Sequence, residues 1–226
     1  VNQSKLRFFT NISHEFRTPL TLIRGQVDML LQMQNIQPSV YNRILNVKRN
    51  TLTMQNLINE LLEFRKTEQG HINIRVSEQD FLAFIYEVYL SFSEYAKYRA
   101  INFNFNCQDE KIPLWFDAAQ MQKVFYNLIS NAFKYTPKEG TISISVSEQA
   151  ERVEVKITDS GVGISAEAIE KIFDRFYQAE NGLQISNMAP GTGIGLALTK
   201  SILETHKAEI HVESKPQVGS IFTITL

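Results

Sequence analysis

A histidine near the start of the chain is the first residue that could do chemistry. It lies in residues 13–20, which read Ser-His-Glu-Phe-Arg-Thr-Pro-Leu. An unperturbed imidazole has a pKa of about 6.5, so neutral His14 is available as a nucleophile near pH 7. Glu15 is its neighbour, Thr18 follows one helical turn later, and Pro19 predicts a helix bend just after His14. Beside three motifs in the second half of the chain, these residues indicate a phosphate acceptor.

The first of these motifs combines two amides and an ammonium group. Asn127, Asn131 and Lys134 are spaced i, i+4 and i+7, which places them on one face of a helix. Amide oxygens can complete the oxygen shell of Mg²⁺, and the ammonium can meet phosphate charge. The alternative is an exposed polar face, which is the commoner fate of such an asparagine pair.

The second motif is a carboxylate followed by glycines. Asp159 ends a predicted strand and opens the run Ser-Gly-Val-Gly-Ile, which contains Gly161 and Gly163. A carboxylate at a strand end can accept a hydrogen bond from an exocyclic amine such as that of adenine, and the glycines let the backbone approach a base closely. The alternative is an Asx turn with two turn glycines.

The third motif is a run of alternating glycines that opens a predicted helix. Residues 191–196 read Gly-Thr-Gly-Ile-Gly-Leu. Exposed amides at a helix N-terminus attract phosphate. Such a run is a weak signal by itself, and its position before a helix strengthens it. The preceding residues 177–192 are polar and loop-like, and part of this stretch could fold over a bound nucleotide as a lid.

Two long amphipathic helices are predicted for the first third of the chain. Apolar residues spaced by three and four form a heptad seam over residues 2–34, and a second seam runs over residues 40–67. Residues 35–38 form the turn between them, with Pro38 at a first helical position. A single hairpin cannot bury both seams, so we expect two hairpins to pair as a dimeric four-helix bundle.

The hydrophobic period changes after a predicted linker at residues 69–73. Alternation predicts strands at residues 72–76, 101–105, 142–146, 153–157, 210–212 and 221–224. Helical spacing predicts helices over 81–95, from the N-cap Asp117 to Tyr135, over 166–173 and over 194–206. Helices on a largely antiparallel sheet make a two-layer α/β sandwich. We therefore predict a helical hairpin domain at residues 1–68 and a sandwich domain at residues 74–226.

Composition excludes several classes of function. The chain has 226 residues, a net charge of −1 and 43% apolar residues. This composition argues against a strongly basic surface that binds nucleic acid and against a disordered acidic tail. The single cysteine, Cys107, excludes an internal disulfide, and the four histidines show no metal-ligand spacing. No apolar run is long enough for a membrane helix, so we expect no membrane contact here. Because the chain begins with Val in a helical pattern, we expect it to be a fragment of a longer protein.

In this order, the three motifs resemble the ATP-binding domain shared by sensor histidine kinases, type II topoisomerases, the ninety-kilodalton chaperones and mismatch-repair ATPases. The resemblance implies that Asn131 holds Mg²⁺ with help from Asn127. It also implies that Lys134 meets the phosphates, that Asp159 reads adenine and that the glycines of residues 191–195 shape a lid. The expected nucleotide-binding residues are Asn127, Asn131, Lys134, Tyr135, Asp159, Gly161, Gly163, Arg175, Gly191, Thr192, Gly193, Gly195 and Leu196.

An aromatic segment adds Arg175 to this set. Residues 173–176 read Phe-Asp-Arg-Phe and resemble the aromatic box that this family places before the lid. A helix end that packs both phenylalanines into the core is a compatible alternative.

Position 127 separates the members of this superfamily. The hydrolysing relatives place a glutamate where this chain has Asn127, and an amide cannot act as a base. This departure favours transfer to another acceptor over hydrolysis. Residues 13–20 resemble the phosphoacceptor box of sensor histidine kinases, and residues 127–135 resemble their asparagine box. Nearly the whole chain is thus similar to the catalytic core of that family. The residues around His14 most resemble those of hybrid sensor kinases.

The resemblance implies a reaction and a set of partners. ATP with Mg²⁺ would phosphorylate His14, while Glu15 orients the imidazole or takes its proton. The phosphoryl group would pass to an aspartate of a response regulator receiver domain, in trans or fused in the parent chain. Thr18 would support removal of phosphate from the regulator; a requirement of helix geometry before Pro19 is the alternative. The expected assembly is a homodimer in the cytoplasmic portion of a membrane-anchored sensor.

Three other functions are compatible with parts of this pattern. A protein serine kinase of the mitochondrial type shares the nucleotide-binding fold and would give an acid-stable product. A dimeric signalling scaffold would bind ATP without transferring phosphate. A phosphatase-dominant core would mainly dephosphorylate its regulator.

Overall fold

The computed structural model describes residues 16, 19–33, 37–68, 74–149, 152–178 and 193–226. The chain divides into two compact units, Val1–His71 and Ile72–Leu226. Several predictions concern positions outside the described residues: the linker at 69–73, the bend after His14, residues 35–36 of the turn at 35–38 and residues 179–192 of the polar stretch.

The described part of the first unit forms an antiparallel helical hairpin. Helix α1 covers residues 19–31, and helix α2 covers Pro38–Glu68. Lys48 forms an ion pair with Asp28 at 2.7 Å, and the side-chain amide of Gln55 donates to the Thr21 hydroxyl at 3.4 Å. Because the later residue of α2 contacts the earlier residue of α1, the two helices run in opposite directions. The predicted hairpin is confirmed, as is the position of Pro38 at the start of α2.

Each helix of the hairpin buries only part of its predicted apolar seam within the unit. Val27 is buried, whereas Ile23 and Leu30 of the same seam are 44% and 43% exposed. Thr51, which interrupts the second seam, is buried, and its hydroxyl donates to the Val47 carbonyl oxygen at 2.9 Å. Val47 and Met54 on α2 are likewise exposed, so both helices leave apolar seam residues open where the structure describes them. In the described ranges, no helix is both long and apolar enough to cross a membrane.

The second unit is a two-layer α/β fold. Its strands are β1 (Ser77–Asp80), β2 (Asn102–Cys107), β3 (Pro113–Phe116), β4 (Thr141–Gln149), β5 (Arg152–Asp159), β6 (Glu209–Lys215) and β7 (Gly219–Thr225). Its helices are α3 (Phe81–Arg99), α4 (Ala118–Tyr135), α5 (Ala166–Ile169) and α6 (Gly195–Thr205). Among the described residues, the main sheet has the order β2-β4-β5-β7-β6, and β1 pairs separately with β3. Only the β2–β4 pairing in that sheet is parallel, which confirms the largely antiparallel sandwich.

The first strand of this unit was predicted at the wrong place. Residues 74–76 are not in a strand; the strand is β1, and its antiparallel partner β3 was not predicted at all. The local pattern hides both strands, because β1 reads Ser-Glu-Gln-Asp and β3 begins with Pro113. Val76, an apolar position of the predicted strand, is 49% exposed. The predicted helix over 166–173 is also shorter than expected, since α5 ends at Ile169.

Helix α4 forms the centre of the helical layer. Asp117 caps it as predicted: its Oδ1 accepts a hydrogen bond from the Gln120 backbone N–H at 3.1 Å. Its Oδ2 accepts a hydrogen bond from the Arg75 backbone N–H at 2.8 Å. Asp117 therefore also holds the first described residues of this unit against the start of α4. The buried residues of α4 are Met121, Val124, Phe125, Leu128, Ile129, Ala132, Phe133 and Lys134. All but the last are apolar, so the helix is fixed against the core and its polar positions have a defined direction.

Strand β5 carries a carboxylate into the core-facing layer. Its burial alternates, so that Val153, Val155 and Ile157 are buried on one side of the sheet. Asp159 continues this series and is also buried. The period of two therefore places a charged residue where a fourth apolar residue would be expected.

We expect Phe81→Ala to lower the free energy of unfolding of the α/β unit by about 3–5 kcal/mol, because it leaves a cavity in the core. Phe81 is fully buried, and its ring lies 5.4 Å from that of Phe116 and 5.9 Å from that of Phe125. Urea unfolding followed by the fluorescence of Trp115, the single tryptophan, measures the change within this unit.

The matched control is Tyr98→Ala, on the same helix as Phe81. Tyr98 is 83% exposed, so its truncation should change the free energy of unfolding by less than about 0.5 kcal/mol. Equal losses for the two variants would contradict the core described here.

Candidate functional site

The carboxylate of Asp159 is the most perturbed ionisable group that the structure describes. It lies at the end of β5 and is 8% exposed. Burial raises its pKa from the ordinary 3.8 to about 6, and hydrogen bonds from Gly161 and Ser220 oppose that rise. The Gly161 backbone N–H donates to Oδ1 at 2.8 Å. The bond from Gly161 to Asp159 has the form of an Asx turn. The predicted alternative, an Asx turn, is therefore present, and it is compatible with a role of Asp159 in binding.

Two glycines leave the space that this carboxylate needs. A Cβ on Gly161 would lie 2.7 Å from Asp159 Oδ1 and 2.6 Å from the Tyr135 carbonyl oxygen. A Cβ on Gly219, in the neighbouring strand β7, would collide with the carbonyl oxygen of Asp159. Gly163, with φ of +67°, likewise packs against the backbone of Lys215. Any larger residue at Gly161 or Gly219 would collide with Asp159 and push the neighbouring backbone away from it.

The two asparagines and the lysine of the first motif all lie on α4, and none of them is fully exposed. Asn127 and Asn131 are half-buried, and Lys134 is only 6% exposed. The Lys134 ammonium lies 4.9 Å from the centroid of the Tyr135 ring. The alternative of an exposed polar face is therefore wrong.

Contacts with the C-terminal end of α4 bring the second motif to the first. The Val162 backbone N–H donates to the Tyr135 carbonyl oxygen at 3.2 Å. Val162 lies between the two glycines that follow Asp159. Tyr135 directly follows Lys134, so the amide–ammonium face of α4 and the loop after the buried carboxylate meet at the C-terminal end of that helix.

The start of α6 brings the third motif to the same helix. A Cβ on Gly195 would lie 2.5 Å from Asn127 Oδ1, so the first turn of α6 lies directly against that amide. The Asn127 side-chain NH₂ donates to the Thr199 hydroxyl oxygen, one turn later in α6, at 2.9 Å. Leu196 is partly buried and packs against the core. Gly191 and Thr192 lie outside the described residues.

A backbone clasp joins the residues on either side of the segment 179–192. The Phe176 N–H donates to the Gly193 carbonyl oxygen at 2.8 Å. Both residues have positive φ, +61° and +72°, and a Cβ on Gly193 would lie 2.7 Å from the Phe176 backbone. Gly193 is therefore needed for this approach, whereas Phe176 adopts the same region as a residue with a side chain.

The aromatic segment before this clasp is only half packed into the core. Phe173 is partly buried, and the Lys200 ammonium lies 5.6 Å from its ring centroid. Phe176 is 65% exposed, so the alternative that both rings pack into the core is wrong for this residue. Arg175, the predicted member of the site, is exposed.

The structure does not test the predicted phosphate acceptor. His14, Glu15 and Thr18 lie outside the described residues. The structure brings together the three predicted motifs of the α/β unit, and it adds three residues that the sequence did not single out: Gly219, Ser220 and Thr199. Of these three residues, only Gly219 had a signal in the sequence, as a glycine at the start of the last strand. Ser220 and Thr199 contact the site from elements that are distant in the sequence.

Two family models match separate parts of the chain. Residues 4–70 match the His Kinase A (phospho-acceptor) domain, and residues 116–226 match the histidine kinase-, DNA gyrase B- and HSP90-like ATPases. Over its full length, the chain is 41% identical to histidine kinase P4 of Formosa agariphila, of which it covers 17%. The chain thus spans only a small part of that curated relative.

Solved structures share the fold. Full-length ShkA in complex with AMPPNP matches 97% of this chain and 45% of its own, with a TM-score of 0.82 and 21% identity. The histidine kinase ThkA, in complex with the response regulator protein TrrA, matches 100% of this chain and 63% of its own, with a TM-score of 0.69 and 23% identity.

We expect Asp159→Asn to stabilise the α/β unit at pH 7 and to remove part of its pH dependence. The raised pKa means that the folded state holds a proton that the unfolded state has released, so the parent loses stability as pH rises from about 4 to about 6. The full effect is about 3 kcal/mol. The gain at pH 7 should be about 1–2 kcal/mol, since an amide has one acceptor oxygen where a carboxylate has two, which weakens the acceptance of hydrogen bonds from Gly161 and Ser220.

Urea unfolding of parent and variant, measured by Trp115 fluorescence between pH 4 and 7.5, isolates this residue. The other titrating groups are common to both proteins and cancel in the difference. A difference that stays constant across that range would contradict a raised pKa at Asp159.

Proposed function

This chain belongs to the sensor histidine kinases of two-component signalling, and we propose that it transfers the γ-phosphoryl group of ATP to His14. The step breaks the bond between the γ-phosphorus and the bridging oxygen, forms a phosphorus–nitrogen bond on the imidazole and releases ADP. Neutral His14 supplies the electron pair, and Glu15 orients the ring or accepts its proton. In this proposal residues 1–68 are the dimerisation and phosphotransfer domain, residues 69–73 the linker and residues 74–226 the ATP-binding domain.

The observation that carries the proposal is the meeting of three motifs on α4. Asn127, near the middle of α4, contacts the first turn of α6, and Tyr135, at the C-terminal end of α4, contacts the loop after Asp159. Helix α4 thus carries groups suited to a metal ion and to phosphate. These groups lie between the Asp159 carboxylate, which suits a nucleotide base, and the N-terminus of α6. The match of residues 4–70 to a phosphoacceptor domain supplies the second substrate.

Adenine recognition is assigned to the end of β5. The ionised Asp159 accepts a hydrogen bond from the exocyclic amine of adenine, while Gly161 and Gly163 leave room for the base beside the backbone. Tyr135 adjoins this loop through its carbonyl group. Because the carboxylate is buried, an unsatisfied hydrogen-bond partner is costly, which favours a base with an amine at this position.

Phosphate binding is assigned to α4 and to the glycine run before α6. The Lys134 ammonium compensates phosphate charge, and backbone amides at the start of α6 donate to phosphate oxygens. Arg175 adds a further cation near the clasp. The members of the run in this assignment are Gly191, Thr192, Gly193, Gly195 and Leu196.

The amides of α4 fit a magnesium ion. Mg²⁺ prefers oxygen ligands, and the Asn127 side-chain NH₂ is already engaged with Thr199, which leaves its oxygen Oδ1 as the end available to a metal. Asn131 and Asn127 would hold the ion. When bound, Mg²⁺ offsets the negative charge of the phosphates. Because Asn127 has no carboxylate, it cannot activate water, and transfer to His14 is favoured over hydrolysis.

The phosphoryl group then passes from His14 to an aspartate of a response regulator receiver domain. The complex of ThkA with the regulator TrrA supports such a partner, and the receiver domain can be separate or fused in the parent chain. We assign regulator phosphatase activity to Thr18, which follows the histidine by four residues in the sequence. A Thr18→Ala variant that removes regulator phosphate as fast as the parent would contradict this role.

The helical unit acts as a homodimer in this proposal. Ile23 and Leu30 on α1, and Val47 and Met54 on α2, are apolar seam residues with 43–47% exposure. Pairing of two hairpins would cover these residues in a four-helix bundle. We place this core in the cytoplasmic portion of a membrane-anchored sensor, by analogy with the sensor kinases it resembles.

We expect γ-labelled ATP with Mg²⁺ to label the parent chain and to leave His14→Gln unlabelled. A phosphorus–nitrogen bond gives label that is lost in acid and kept in base. The matched control is His211→Gln, because His211 is exposed on the edge strand β6 and should leave the labelling rate unchanged. The measurement is the initial rate of protein-bound label.

Acid-stable label would contradict histidine phosphorylation and indicate a serine kinase. Nucleotide binding without any label would indicate a scaffold or a phosphatase-dominant core. Equal label in parent and His14→Gln would place the acceptor elsewhere.

A further inference from the structure

The orientation of the Asn127 amide is decided by α6. An asparagine side chain has a donor end and an acceptor end, and a metal ion can use only the acceptor end. In this chain the donor end is engaged: Nδ2 donates to the Thr199 hydroxyl oxygen at 2.9 Å. A Cβ on Gly195 would lie 2.5 Å from the acceptor end, Oδ1, so the absence of that side chain leaves room beside this oxygen. The two ends of one amide therefore meet two residues of the same helix.

Gly195 and Thr199 act together because they lie one turn apart. Residues spaced i and i+4 share a helix face, and here that face is turned to α4. Gly195 leaves the room that the amide occupies. Thr199 is only 1% exposed, so its hydroxyl contacts the amide away from solvent competition. In this arrangement Nδ2 is toward Thr199 and Oδ1 lies beside Gly195.

We propose that Thr199 is a positioning residue that presents Asn127 Oδ1 to the Mg²⁺ of the bound nucleotide. The inference rests on the proposed nucleotide site and adds the residue that orients one of its metal ligands. Without the hydroxyl, the donor end of the amide has no partner on α6, and the side chain can rotate so that Nδ2 faces the metal. Only interactions that need Oδ1 are then lost.

The effect is specific to the metal-dependent part of nucleotide binding. Groups that orient a metal ligand typically contribute ~10-fold to metal affinity. Contacts of the base with Asp159 and of phosphate with Lys134 do not involve Thr199. Loss of the hydroxyl should therefore weaken Mg²⁺ binding in the complex and leave metal-free nucleotide binding intact.

The test is calorimetric titration of the full chain with AMPPNP, first in EDTA and then over a series of MgCl₂ concentrations. For Thr199→Val, we expect the MgCl₂ concentration that gives half of the full increase in AMPPNP affinity to rise ~10-fold. The AMPPNP affinity measured in EDTA should equal that of the parent. Thr199→Ser, which keeps the hydroxyl, should restore the parent value. The matched control is Thr205→Val on the same helix, whose hydroxyl donates to the Ser201 carbonyl oxygen at 2.7 Å and should have no effect.

A second readout needs neither metal nor nucleotide. The side-chain amide resonances of Asn127 in the ¹H–¹⁵N spectrum should shift in Thr199→Val and return in Thr199→Ser. An unchanged MgCl₂ dependence in Thr199→Val, or an equal loss of AMPPNP affinity in EDTA and in MgCl₂, would overturn the positioning role while the proposed function stands. Failure of the parent itself to bind AMPPNP would contradict the proposed function, and the positioning role with it.

Discussion

The buried carboxylate of Asp159 is the constraint on which the rest of the candidate site depends. A charged group removed from water destabilises the fold unless it is compensated, and its pKa of about 6 shows that compensation here is incomplete. The fold supplies hydrogen bonds from Gly161 and Ser220, but each requires backbone to approach closely. Gly161 and Gly219 make that approach sterically possible. The fold is thus less stable than it would be without this charge, and it keeps the Asp159 carboxylate as a hydrogen-bond acceptor for a ligand.

Helix α4 converts this local feature into a site of larger extent. Its apolar face fixes it to the sheet, so the polar positions on its remaining face cannot move independently of β5. At one end, Tyr135 contacts the loop that follows Asp159. Nearer the middle, Asn127 contacts Gly195 and Thr199 of α6. A nucleotide bound along this helix would touch groups whose separations are set by the core.

Much of this arrangement was predictable because its determinants are local. The i, i+4 and i+7 spacing places Asn127, Asn131 and Lys134 on one helix face, and the capping role of Asp117 follows from its position before an apolar helix. The alternation of β5 places Asp159 on the core side. In each case the relevant neighbours are within a few residues in the sequence, so a period or a residue type is sufficient evidence.

The remainder depends on contacts between distant elements, which a single sequence does not record. Ser220 reaches Asp159 through the pairing of β7 with β5, and Thr199 reaches Asn127 through the packing of α6 on α4. Strands β1 and β3 depend on each other in the same way, since neither has an apolar alternation of its own. In each of these cases the partner that gives the residue its role is 30 or more positions away.

The most direct test of the account is the pKa of the Asp159 carboxyl group, followed by ¹³C NMR with and without nucleotide. In the free chain we expect a midpoint of about 6. ATP with Mg²⁺ should lower the pKa by at least about one pH unit, because the adenine amine donates to the ionised form. GTP, which carries a carbonyl oxygen where adenine has the amine, should not lower it. A pKa that is unchanged by ATP, or lowered equally by both nucleotides, would contradict the assignment of Asp159 as the group that recognises adenine.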